Sequence, residues 1–194
     1  MVRAELNNTD YMLTVGHPFE ACSTGLGNNT DVSQSYQEFG EVAGDYPKLD
    51  VAHVEITDSG FSYNGNVNME TTAYNVAGVA SESEVEYYMN SDTPVKKMGR
   101  STGKTTGTID SMNEGNGFDC LNYGNEGVVV TADQAQGDSG GPAMITFSNG
   151  DCSILNINGT GYRQKGTTRN GAILYEGGGG TAGYHIEDQG YIIG

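Results

Sequence analysis

The stretch Gly137-Asp138-Ser139-Gly140-Gly141-Pro142 decides how this chain is read. Glycines on both sides of Ser139 permit a tight turn, because a residue without Cβ enters backbone regions that other residues avoid. In such a turn the backbone N–H groups of Gly137 and Ser139 can converge on one point and form a hole for a developing oxyanion. A serine hydroxyl is a weak nucleophile, so this reading requires a histidine base and a carboxylate to orient it. The residues after the turn bear on the fold. Pro142 leads into an apolar run at 143–147, and Asn149-Gly150 separates that run from another at 153–157, the pattern of a β-hairpin.

Working outward, β-type runs recur at 12–15, 51–56, 74–79, 84–89, 106–109, 127–131 and 172–175, separated by Gly, Asn and Asp clusters. In the run at 51–56, Ala52, Val54 and Ile56 share one face, which leaves His53 and Glu55 on the exposed one. No long amphipathic helix is visible; one turn is expected after His17 and another near the C-terminus. Residues 177–180, four glycines, read as a flexible surface loop, and His185 reads as a surface residue. Many short strands with regular punctuation predict an all-β barrel or sandwich, with a boundary between two halves near residue 80.

Composition narrows the class. The 194 residues carry 25 acidic and 9 basic side chains, a net charge of −16. That balance argues against nucleic acid, since binding phosphates needs Lys and Arg. No apolar run is long enough to span a membrane. The excess of carboxylates reads as adaptation to a salty environment, because salt screens the self-repulsion they create, or as the charge that keeps an ordinary acidic secreted domain in solution. Cys22, Cys120 and Cys152 match no zinc spacing; a disulfide between Cys120 and Cys152 stays open. Met1–Asp10 holds no apolar leader segment.

The six-residue turn resembles the nucleophile turn of the chymotrypsin-like serine proteases, and three more segments resemble the same family. Leu13-Thr14-Val15-Gly16-His17 resembles the segment that ends in its catalytic histidine. Leu49-Asp50-Val51-Ala52 resembles its aspartate segment. The stretch Val95-Lys96-Lys97-Met98-Gly99-Arg100-Ser101-Thr102-Gly103, running on to Gly107-Thr108-Ile109, looks like the second-barrel opening of bacterial streptogrisins and α-lytic protease. The order His17, Asp50, Ser139 is the family's order.

The resemblance implies a double antiparallel β-barrel, with residues 1–80 carrying His17 and Asp50 and residues 81–194 carrying Ser139. It implies a monomeric serine endopeptidase that acts on protein or peptide, outside the cell, with no metal, cofactor, nucleic acid or membrane partner. The triad is His17, Asp50 and Ser139, the oxyanion donors Gly137 and Ser139. Substrate-binding positions fall at Asp133, Gln136, Asn158, Gly159 and Thr160. Asp133 has two readings: a trypsin-like pocket charge six residues before the nucleophile, or a solvated loop residue. In the bacterial enzymes an arginine two residues before the second-barrel glycine pairs with the aspartate preceding the nucleophile; here that position is Lys97 and the aspartate Asp138.

The chain departs from the pattern where Pro18 follows the histidine and where only sixteen residues precede it. The first barrel is therefore expected to be truncated or pared down. Three rival readings remain. One is an inactive homologue acting as a binding module. Another is an α/β-hydrolase using Gly137-x-Ser139-x-Gly141 with Asp151 and His185, although Pro142 leads into a strand rather than a helix. The third is a P-loop at residues 99–105, which is one residue too short between its glycines.

Overall fold

The computed structural model of the chain describes residues 1–17, 31–34, 37–46, 49–61, 65–114 and 126–194. Cys22, Cys120 and the turn expected after His17 lie outside them. Two sheets carry these residues. The first holds β1 (Val2–Leu6), β2 (Thr9–Val15), β3 (Asp31–Gln34), β4 (Gln37–Tyr46), β5 (Val51–Ile56) and β16 (Ile192–Ile193), in the order β16-β1-β2-β5-β4-β3. Its opening hairpin turns on Asn7-Asn8, with φ of 53° and 62°. Asparagine tolerates that left-handed region, and two such residues in succession match the twist of the flanking strands. Strand β16 comes from the far end of the chain and pairs Ile193 with Ala4.

The second sheet holds β6 (Asn66–Met69), β7 (Thr72–Val79), β8 (Val95–Gly99), β9 (Gly103–Gly107), β10 (Ile109–Glu114), β11 (Gly127–Val130), β12 (Gln134–Ala135), β13 (Pro142–Thr146), β14 (Asp151–Thr167) and β15 (Ile173–Ala182). The main path is β10-β11-β15-β14-β13-β8-β9, with β12 against β15 and the β6–β7 hairpin laid parallel on β14. Every other pairing in both sheets is antiparallel. The hairpin read from Asn149-Gly150 joins β13 to β14, with Thr146 opposite Cys152 and Gly150 at φ 92°.

Several expectations are corrected. Residues 84–89 are not a strand but the middle of helix α1 (Glu82–Asn90). The alternation of Glu84 and Glu86 with Val85 and Tyr87 imitates a strand, yet Val85 alone in the helix is fully buried. The overlooked signal is Ser81-x-x-Glu84, a capping box: Ser81 accepts from the Glu84 N–H, and the Glu84 carboxylate accepts from the Ser81 N–H at 2.9 Å. Such a cap is worth about 1 kcal/mol.

Residues 177–180 are no surface loop. They form the buried interior of β15, with Val128–Val130 on one side and residues 158–161 of β14 on the other. They are glycines because the neighbours come too close: a Cβ on Gly180 would collide with the Ile157 carbonyl, and one on Gly178 with the Gln134 side chain.

Neither remaining histidine is simply exposed. His53 is half-buried, its Nδ1 2.6 Å from the Tyr191 hydroxyl, and His185 is half-buried with Nδ1 3.6 Å from Asp188. Cys152 is a free buried thiol, and the pairing left open with Cys120 falls outside the described residues; burial, with the nearby Asp151 charge, pushes that thiol up to about 11.

Three apolar clusters hold the sheets. Phe39, Val42, Ala52 and Val54 pack within the first. Val95, Val128, Val130, Ile145 and Leu155 pack within the second. The third joins both, setting Leu13, Val15 and Val51 against Met144, Ile154 and Ile157. Each such side chain contributes about 1.5–3 kcal/mol on burial, so the seam between the sheets is a core and not a loose contact. Beyond α1 there is one more helix among the described residues, α2 (Gly183–Glu187), and neither is long and apolar enough to cross a membrane.

Candidate active site

Strand β2 ends at Val15, and Gly16 then His17 follow directly. The Gly16 N–H donates to the Asp50 carbonyl at 2.9 Å, which locks the end of β2 to the start of β5. Asp50 sits just before β5 with φ 50°, a left-handed conformation that aspartate tolerates better than most residues. There its carboxylate is buried and turned toward His17. Oδ1 accepts the His17 backbone N–H at 2.6 Å, and Oδ2 lies 2.9 Å from the imidazole Nδ1. With Nδ1–H donating to the carboxylate, Nε2 becomes the basic nitrogen. The Thr181 hydroxyl on β15 donates to the Leu49 carbonyl, tying this aspartate segment to the second sheet across 132 residues.

The turn at 137–141 joins β12 to β13. Gly137 and Gly140 adopt φ of 91° and 84°, the left-handed region that glycine enters without strain. Three of its N–H groups are committed. Asp138 donates to Ala135 (3.0 Å), Gly140 to Asn158 (2.8 Å) and Gly141 to Asp138 (3.0 Å). Those of Gly137 and Ser139 have no hydrogen-bond partner among the described residues. The Ser139 hydroxyl donates to the Gly159 carbonyl at 3.3 Å. The turn abuts β2: a Cβ on Gly140 would run into the Thr14 side chain, three residues before His17.

Asp138 is fully buried and gathers five donors. Oδ2 accepts Lys97 Nζ (2.6 Å), Thr102 Oγ1 (2.7 Å) and the Ala135 N–H (3.0 Å). Oδ1 accepts the N–H groups of Ser101 (2.7 Å) and Thr102 (3.1 Å). Burial alone would raise this carboxyl, but the bonds from Lys97, Thr102 and Ala135 outweigh it and hold Asp138 below the ordinary carboxylate range. Burial also lowers the Lys97 amine, while the Asp138 contact opposes that. A Cβ on Gly99 would occupy the space of the Asp138 carboxylate, so the β8–β9 turn needs glycine there. Ser101, Thr102 and Ala135 were not found by sequence reasoning. Their signal is a Ser-Thr pair in the turn after Gly99, where hydroxyl and amide donors cluster.

The remaining sequence-derived positions separate. Asn158 is buried and donates both its backbone N–H (2.9 Å) and its side-chain amide (2.7 Å) to the Gly141 carbonyl. Thr160 continues β14 beside Gly159 and pairs with Gly179. Gln136 is exposed, with its carbonyl accepting from Ser101 Oγ at 2.5 Å. Asp133 is half-exposed and lies 2.5 Å from Lys165 Nζ. The segment at 99–105 is a strand-turn-strand and Pro142 opens a strand, so neither the P-loop nor the hydrolase elbow has its helix.

No protein-family model and no curated protein sequence matches the chain. Solved structures do. A glutamic acid specific serine protease using a histidine triad in substrate binding shares 21% identity at a TM-score of 0.67, covering 100% of this chain and 91% of that one. Thermobifida fusca protease A shares 22% at 0.67, covering 99% and 88%. Nocardiopsis protease shares 18% at 0.67, covering 99% and 89%. At these identities the likeness is one of fold. The chain has the two-barrel, all-β fold of the chymotrypsin-like bacterial serine proteases.

Proposed function

We propose that this chain is a serine endopeptidase working through His17, Asp50 and Ser139. One observation carries the reading: in a turn whose other N–H groups are all committed, those of Gly137 and Ser139 have no partner among the described residues. Such donors suit an oxyanion, and the loss of one typically costs about 3–4 kcal/mol of transition-state stabilisation.

In the first step Ser139 Oγ attacks the scissile carbonyl carbon while His17 Nε2 takes the hydroxyl proton. The bond to Gly159 breaks at that point; at 3.3 Å it is long, so its loss costs little. Asp50 holds the ring in the required tautomer and stabilises the imidazolium. The carbonyl oxygen, now an oxyanion, accepts from the two N–H groups. Collapse breaks the peptide C–N bond, and His17 returns its proton to the leaving amine. Water, deprotonated by the same imidazole, then attacks the acyl carbon; the bond to Ser139 Oγ breaks, His17 returns the proton to that oxygen, and the acid leaves.

Residues 1–80 supply base and orienter and residues 81–194 supply nucleophile and hole, even though β6–β7 and β16 cross between the sheets. Substrate is a protein or peptide, met outside the cell by a monomer. Asp133 is neutralised by Lys165, which favours the solvated reading over a trypsin-like pocket. The acid specificity of the first structural neighbour does not transfer through histidines, since His53 and His185 are engaged with Tyr191 and Asp188.

The Ser139–Gly159 contact favours a second reading, the inactive homologue that binds peptide without cutting it. Incubating the chain with a denatured protein and mapping new termini by mass spectrometry separates the two. Cleavage is expected, and intact substrate would support the binding module.

The acidic excess fits a salty medium. The melting temperature should rise with KCl from low salt into the molar range, as screening relieves repulsion among the carboxylates. A flat or falling curve would remove the halophilic reading.

A further inference from the structure

Positive charge is distributed very unevenly along the chain. Four Lys and Arg fall in residues 93–109 (Lys96, Lys97, Arg100, Lys104) and three in residues 152–175 (Arg163, Lys165, Arg169), which makes seven of the nine. Neither segment contains an acidic residue, so all 25 lie elsewhere. The fold brings the two segments together. Arg100 and Ser101 from the β8–β9 turn face Thr168 and Asn170 from the β14–β15 turn across a cavity of about 420 Å³, with Gln136 and Gly137 as its third wall. Hydrogen bonds fix those walls, Ser101 Oγ to the Gln136 carbonyl at 2.5 Å and the Gln136 N–H to the Ile173 carbonyl at 3.0 Å.

Three of the seven cations are engaged: Lys97 with Asp138, Lys165 with Asp133, and Lys96 with the Tyr74 hydroxyl at 2.7 Å. The side chains of Arg100, Lys104, Arg163 and Arg169 are exposed and make no hydrogen bond or ion pair among the described residues, and of these four Arg100 is the one that lines the cavity. Arg169 lies between the lining residues Thr168 and Asn170 and adds a positive charge on the β14–β15 turn. A guanidinium is the side chain best shaped to take a carboxylate through two parallel N–H bonds. The rest of the molecule repels an acidic peptide, so a cavity whose lining holds Arg100 and no acidic residue is the place where one can dock. Gly137, two residues before Ser139, lines the same cavity.

We infer that this cavity is a subsite for an acidic side chain of the substrate, within three residues of the cleaved bond, with Arg100 as the carboxylate receptor. The inference rests on the endopeptidase reading for its substrate, but its test does not need turnover. Peptides of one sequence, differing only in Glu against Gln at each of three positions on either side of the bond, are titrated into Ser139→Ala and followed by fluorescence anisotropy. At one position the Glu peptide should bind about tenfold more tightly, and the difference should shrink in 0.5 M NaCl.

Adding Arg100→Gln should abolish the preference, and Arg100→Glu should turn it toward Lys at the same position. Equal or undetectable binding of the Glu and Gln peptides at every position would overturn the inference, as would a preference that survives Arg100→Gln. If the Glu preference is present while the wild type cleaves none of the peptides, the endopeptidase reading falls and the acidic subsite stands.

Discussion

Replacing Ser139 with alanine should lower kcat/KM for a peptide substrate by about 10,000-fold or more, and His17→Ala should do the same. Both groups act in one step. Without the hydroxyl there is no nucleophile, and without the imidazole nothing takes its proton. The double variant should therefore be scarcely worse than either single one, because the second change removes a group that already has nothing to do. Neither change should unfold the chain. Ser139 makes one long hydrogen bond through its side chain, and the β2–β5 pairing that carries His17 extends from Tyr11–Glu55 to Val15–Val51. Circular dichroism and melting should stay close to wild type. Costs that multiply in the double variant would mean that the two residues act independently.

Lys97→Met should destabilise the fold by about 3–5 kcal/mol, the usual cost of stripping one partner from a buried ion pair. Both side chains are fully shielded, and their atoms meet at 2.6 Å. Methionine keeps the length of the stem and removes the charge, so Asp138 would be left buried with only its hydroxyl and amide donors. Because Asp138 lies between Gly137 and Ser139, loss of its anchor should loosen the turn and slow acyl-enzyme formation as well. Lys96→Met is the control. Its amine reaches the half-buried Tyr74 and sits 4.6 Å from that ring, an interaction worth about 0.5–1 kcal/mol.

The same pair predicts an acid limb. Asp138 is held below its ordinary value in the folded state, so the unfolded chain binds the extra proton first as pH falls. Its contribution to stability is complete above the ordinary carboxylate value of about 3.9 and is lost as pH drops below it toward the folded value. In Lys97→Met, with less to hold the carboxylate ionised, this acid-dependent loss should be shallower. Wild-type stability and acylation rate in Lys97→Met would show that the remaining donors hold Asp138 by themselves.

Local features of the fold were legible in the sequence, and contacts between distant strands were not. Asn149-Gly150 specifies its hairpin through its own backbone preferences, and the glycines around Ser139 do the same for the turn. The capping box at Ser81 and Glu84 was equally local, but the alternation of Glu with Val and Tyr over the same residues imitated a strand. Four successive glycines carry no packing information of their own. Residues 177–180 become a buried strand only because Ile157 and Gln134 crowd them, and no local rule anticipates those neighbours.

The site divides in the same way. The resemblance to the bacterial enzymes, counted back from Gly99, singles out Lys97, and the structure sets it against Asp138. The Thr181–Leu49 bond and the Asn158–Gly141 bonds depend on the fold and were not readable. The two acid-free basic segments could be counted in the sequence, yet only the turns that carry them show that they share one cavity.

The central claim is that Ser139 is a nucleophile activated by its surroundings and not merely a hydroxyl in a turn. A fluorophosphonate probe tests it most directly, because an ordinary serine hydroxyl is too weak a nucleophile to displace fluoride and bond to the phosphorus. The protein is incubated with the probe at neutral pH, digested, and the modified residue located by mass spectrometry. The account predicts one modified peptide, carrying the adduct on Ser139, and none in His17→Ala. An unlabelled wild-type chain, or label that persists at Ser139 after His17→Ala, would contradict it.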